Sequence, residues 1–103
     1  MNEMIQKIAA TLYDKKAQDI VALDVSGMTV ITDAMVIASG RSALQVKTLA
    51  DEVEDRLGAA GIYPLRKEGQ QEGRWVVLDY GTALVHIFHT EEREFYRLDK
   101  LWE

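Results

Sequence analysis

A chain of 103 residues with 48% apolar side chains is the size of one domain built on one core. It contains no cysteine, which removes disulfides and thiolate metal sites. Its apolar runs are far too short to span a bilayer and no signal-peptide pattern opens it, so a cytoplasmic protein without a membrane partner is expected. The formal net charge is −5, and acids cluster in "DEVED" (51–55) and "EEREF" (91–95). That balance disfavours direct DNA or RNA backbone binding and suits a basic partner, although charge alone also serves solubility.

Ile5, Ile8, Ala9 and Leu12 recur at helical spacing and predict a helix over residues 2–15. "DIVALDV" (19–25) and "DAMVIAS" (33–39) read as strands around a turn, "SGMT" (26–29). Ser42 and Gln45 form a capping-box pattern that opens a second helix. Its apolar stripe is Leu44, Val46, Leu49, Ala50, Val53 and Leu57, and Gly58 or Gly61 ends it. "YPLRKEG" (63–69) is a short extended piece, with Pro64 suited to an edge or a strand start. "RWVVLDY" and "ALVHIFH" follow as strands around Gly81-Thr82. Thr90 reads as the N-cap of a last helix, with Glu91 and Glu92 at its positive end and Phe95, Leu98, Leu101 and Trp102 on its apolar side. The order α-β-β-α-β-β-β-α implies an α/β domain with a mixed, mostly antiparallel sheet flanked by helices.

The stretch from Trp75 to His89 holds one aspartate and two histidines among apolar residues. A two-residue Gly81-Thr82 loop sets Trp75 opposite Phe88, Val77 opposite His86 and Asp79 opposite Leu84. Side chains alternate along a strand. One face then carries Val76, Leu78, Tyr80, Ala83, Val85 and Ile87, suited to lie under helices. The other carries Trp75, Val77, Asp79, Leu84, His86 and Phe88. His86 and His89 fall on opposite faces and cannot share a metal ion. No hydroxyl has a reason to complete a triad with Asp79 and His86, so a cross-strand structural pair is the expectation for those two. The mixed face has the composition of a protein-binding surface unless a helix covers it.

"DIVALDV", "TDAMVIASGRSALQVKTLADEV", "EG" at 68–69, "GRWVVLDYGTALVHIF" and "REFYRLDKLW" together resemble the ribosomal silencing factor (Iojap-like) family over nearly the whole chain, residues 1–103 as a single domain. Ala34 and Met35 stand where an aromatic pair is common. The resemblance implies a nucleotidyltransferase-like fold without catalytic apparatus, cofactor or metal. "SGRS" (39–42) resembles the phosphate loop of that fold. The paired strand carboxylates that hold two metal ions are missing, since Asp24, Asp33 and Asp79 read as solitary. The resemblance further implies binding to ribosomal protein L-fourteen on the large subunit, steric exclusion of the small subunit, and repression of translation when nutrients are short. The partner-binding residues carried over within matching motifs are Glu68, Trp75, Val77, Asp79, Tyr80 and His86, with a possible contribution from Asp33. A homodimer of the unbound protein is plausible on this reading. The alternative is a residual nucleotide-binding or nucleotidyl-transfer enzyme using "SGRS" and a lone acid.

Overall fold

The first helix, α1 (Glu3–Asp14), starts where Asn2 Oδ1 accepts a hydrogen bond from the Ile5 amide at 2.9 Å. The computed structural model describes the backbone of residues 2–96 and the side chains of residues 2–93. α1 buries Ile5, Ile8 and Leu12, as the spacing predicts. The second helix, α2 (Ala43–Gly58), opens on the expected Ser42 cap, while the Gln45 side chain reaches back one residue beyond the cap, to Arg41 instead of Ser42. Ser42 Oγ accepts from the Gln45 amide at 3.0 Å, and Gln45 Oε1 accepts from the Arg41 amide at 2.6 Å. Val46, Leu49, Ala50, Val53 and Leu57 are buried, but Leu44 is 74% exposed. Leu44 precedes Val46 by two residues, about 200° round the helix, and so points away from the core-facing stripe.

Five strands form one sheet: β1 (Gln18–Asp24), β2 (Ala34–Gly40), β3 (Arg66–Glu68), β4 (Trp75–Asp79) and β5 (Ala83–His89). Their spatial order is β1-β2-β5-β4-β3. β2 and β5 run parallel and the other neighbours antiparallel, so the sheet is mixed as the element order implies. β2 lies between two strands and all seven of its residues are buried. The hairpin register is the one read from the sequence: Trp75 faces Phe88, Val77 faces His86 and Asp79 faces Leu84. Gly81 makes that turn possible, because its φ of 84° is one that side chains with a Cβ rarely adopt.

α1 and α2 cover the inner face of the sheet. There Val36, Ala38, Val76, Leu78, Val85 and Ile87 pack against Ile8, Leu12, Leu49 and Val53. The last described helix, α3 (Thr90–Tyr96), leaves β5 toward the outer face. Thr90 is its first residue, and the ring of His89 accepts from the Glu91 amide at 3.2 Å. The expected apolar side formed by Phe95, Leu98, Leu101 and Trp102 lies outside the described side chains. No helix among the described residues is long and apolar enough to cross a membrane.

Candidate functional site

Strand register builds the outer face in rows, because residues paired across a ladder share a face. One row runs Glu68, Val77, His86, Ile37, Val21, and the next runs Arg66, Asp79, Leu84, Met35, Leu23. At the other end Trp75, Phe88 and Ser39 form a third. α3 covers that end: Arg93, 7% exposed, donates to Ser39 Oγ at 2.8 Å and to the Asp19 carbonyl at 2.9 Å. Ile37 and Phe88 are fully buried. Among the described residues the remaining half is open. Val77, Asp79 and Leu84 are half-buried there, around a recess of about 210 Å³ that Ile31, Arg66 and Glu68 complete. The outer face is therefore a small satellite core at one end and an accessible, partly apolar surface at the other.

Trp75 and His86 are tied together. The indole Nε1 donates to His86 Nδ1 at 3.0 Å, and the indole stacks on Phe88 with ring centroids 4.9 Å apart. Accepting through Nδ1 requires the neutral ring, whose proton then sits on Nε2. Nε2 is buried without a hydrogen-bond partner among the described residues. Burial lowers the His86 pKa to about 4, so the ring is neutral at physiological pH. Gly69 guards the backbone beside Trp75. It has φ 84°, and a Cβ there would stand 2.0 Å from the Trp75 carbonyl oxygen. The "EG" pair before β4 thus has a steric reason.

Asp79 does not pair with His86, contrary to expectation. Val77 occupies the position across from the histidine. Asp79 Oδ2 instead meets Arg66 Nη2 at 3.1 Å, and Oδ1 accepts from the Gly81 amide at 2.8 Å. The aspartate closes its own hairpin and ties down the edge strand. Tyr80 also stands apart from the other candidates, on the inner face with 8% of its surface exposed. Burial, and secondarily the charge of Glu54, raises its pKa to about 12. Its hydroxyl has no partner among the described residues. Glu68, Val77 and Asp79 share the open half, with Trp75 and His86 at its boundary with the covered half.

The "SGRS" segment ends β2 and caps α2. Its Arg41 amide and the Gln45 amide, donors that a phosphate would need, are engaged by the Gln45 and Ser42 side chains. The strand acids are less solitary than expected. Asp24 and Asp33 reach the same recess of about 360 Å³ with Asn2 and Ser26, because Asp24 pairs with Ala34 across the β1–β2 ladder. Asp24 accepts from the Ser26 hydroxyl at 2.6 Å and its amide at 3.0 Å, and those bonds lower its pKa. No three His, Asp or Glu side chains among the described residues converge to hold a metal ion. His86 and His89 lie on opposite faces, as the strand alternation requires.

Two features escape the sequence reading. Arg93 is one, a charged residue that stands above only within the acidic cluster "EEREF" and the motif "REFYRLDKLW". The other is the connection between β1 and β2, where Met28, Val30 and Ile31 are all exposed. The signal was present: "MTVIT" carries no charge at a place where water-facing residues are the rule.

The family model for the ribosomal silencing factor during starvation matches residues 1–103. A ribosomal silencing factor RsfS of Bacillus subtilis is 44% identical over 99 residues, spanning 95% of this chain and 84% of that protein. A crystal structure of a Chromobacterium violaceum protein superposes with a TM-score of 0.94 at 36% identity, covering 99% of this chain and 87% of the other. One from Bacillus halodurans does so at 0.87 and 39% identity, covering 97% and 93%. Fold, register and full-length similarity agree, and the chain belongs to the ribosomal silencing factor family.

Proposed function

We propose that this protein binds the large ribosomal subunit through ribosomal protein L-fourteen and represses translation by occupying the surface the small subunit must meet. The observation that carries this reading is the open half of the outer face in a chain of this family. Val77 and Leu84 offer apolar area, and Glu68 and Asp79 offer negative charge, a combination suited to a basic protein. The mechanism is occlusion in the cytoplasm, without catalysis, cofactor or metal. The Arg41 amide, bonded to Gln45 Oε1, and the Ser42 hydroxyl, bonded to the Gln45 amide, favour it over residual nucleotide chemistry. Sucrose-gradient sedimentation of purified subunits with excess protein tests it: joined ribosomes should be depleted, and the effect should vanish on large subunits lacking L-fourteen. Undiminished subunit joining sinks the proposal.

A further inference from the structure

We infer that Arg93 is a positioning residue for partner binding: by latching α3 onto β1 and β2, it holds Trp75 and His86 in the arrangement that the ribosomal partner meets. This deepens the reading just given and rests on it. Arg93 stands on α3 and is 7% exposed. Its guanidinium bridges two strands. Nη1 donates to Ser39 Oγ on β2 at 2.8 Å, and Nη2 donates to the Asp19 carbonyl on β1 at 2.9 Å. Ser39 is fully buried. The acceptor on β1 comes from a backbone irregularity. The β1–β2 register shifts between Gln18 and Val21, and Asp19 within that bulge has φ 50°. A left-handed residue other than glycine is strained, and such strain persists only where its surroundings hold it. The Asp19 carbonyl is the one that receives Arg93. A second tie lies outside: Arg74 Nε donates to Glu92 Oε1 at 2.9 Å, with the Arg74 side chain 57% exposed. Ion pairs screened by water contribute little. An arginine fork engaged by two acceptors away from water is strong and directional. The inner tie therefore sets where α3 lands.

That landing reaches the candidate surface through one row of the sheet. Ser39, which Arg93 holds, pairs with Phe88 across the β2–β5 ladder, and Phe88 pairs with Trp75 across the β4–β5 ladder. α3 packs on β5 and β2, and Phe88 is fully buried beneath it. Trp75 stacks on Phe88 with ring centroids 4.9 Å apart and donates to His86 Nδ1 at 3.0 Å. The row thus runs from the latch to the boundary of the open half. Arg93 itself is too buried to touch a partner, so its effect on binding passes along this row. With α3 loosened, Phe88 meets water and Trp75 loses its fixed support. The arrangement competent to bind then becomes a fraction of the population, and the apparent Kd rises by the reciprocal of that fraction.

The test uses the full chain, with purified large ribosomal subunits as the probe. Arg93→Met keeps much of the side-chain stem and removes the donors. Val85→Ala, at a fully buried position on the inner face, is the control for lost stability alone. Affinity is measured well below every melting temperature. Exchange of the Trp75 indole N–H is followed by NMR, its signal identified with Trp75→Phe. Arg93→Met should bind about tenfold more weakly, which corresponds to a competent fraction of about one tenth. Its Trp75 indole should also exchange faster than the parent's. Val85→Ala should match the parent in both. Arg93→Lys, a point charge without the fork, should recover affinity to within about threefold of the parent. Should Arg93→Met not fold, Ser39→Ala takes one acceptor from the latch and should still weaken binding about threefold. Parent-like affinity in the folded latch variants overturns the inference while leaving the proposed function standing. So does weaker binding with unchanged Trp75 exchange, and so does an equal loss in Val85→Ala. A parent that fails to bind large subunits overturns the proposed function itself, and the inference with it.

Discussion

The two faces of the sheet are made from the same strands by alternate residues, and they behave differently. On the inner face Val76, Leu78, Val85 and Ile87 are completely buried under two helices. On the outer face burial is graded, from Phe88 fully enclosed beneath α3 to Glu68 in water. A face that is dry throughout tolerates no charge. A graded face can keep a small core at one end and offer the other to a partner. Trp75 sits at the join, bonded and stacked toward the core yet half-exposed.

Substitutions should break this contrast in a graded order. Leu78→Asp puts an unpaired charge into the inner face and should leave the chain unfolded, because the penalty of several kcal/mol is comparable to the whole stability of a domain this size, on the order of 5–10 kcal/mol. Circular dichroism and a lost thermal transition would show it. Next comes pH. The folded state keeps the His86 ring neutral down to about 4, whereas its ordinary value is 6.5. As pH falls through 6.5 the unfolded chain takes up a proton that the folded one refuses, so stability is full above that pH and declines toward pH 4. The loss attributable to His86 is on the order of 3 kcal/mol. Between pH 6.5 and 4 the stability read from denaturant melts should fall by about that much more in the parent than in His86→Gln, and parallel curves of stability against pH would remove the histidine from the explanation. Trp75→Ala should cost about 2 kcal/mol of stability, since it removes the stacking on Phe88 and the bond to His86, and should weaken large-subunit binding as well. Glu68→Arg, on the exposed edge strand, should leave melting unchanged and weaken binding about fivefold through like-charge repulsion. A Glu68→Arg protein with full affinity would move the partner surface away from β3.

Much of this was legible beforehand because it is local. Alternation and a glycine-led two-residue turn are contained within fifteen residues, and they set the whole β4–β5 register. The cap at Ser42 is equally local. The ion-pair partner of Asp79 is not legible in the same way, because Arg66 belongs to a three-residue edge strand whose register no local pattern reveals. Arg93 reaches Ser39 and Asp19, 54 and 74 residues away, and nothing in its neighbours announces that. Leu44 departs from the stripe for a simpler reason: it is apolar and adjacent in sequence, but about 200° round the helix from Val46, which turns it to water. The candidate surface was half legible. The face was visible in the alternation, but the division into covered and open halves depends on where α3 lands.

The parallel pairing of β2 with β5 has a consequence for how the chain matures. β2 begins at residue 34, while β5 ends at residue 89. On a translating ribosome the early strands therefore emerge with the inner edge of β2 bare, and the pairing that closes the middle of the sheet waits until residue 89 has cleared the exit tunnel. Until then an apolar strand with unsatisfied backbone groups is open to strands of other chains. Pauses in synthesis before residue 89 has cleared the tunnel should accordingly raise aggregation or chaperone capture of the nascent chain, whereas pauses after that point should not.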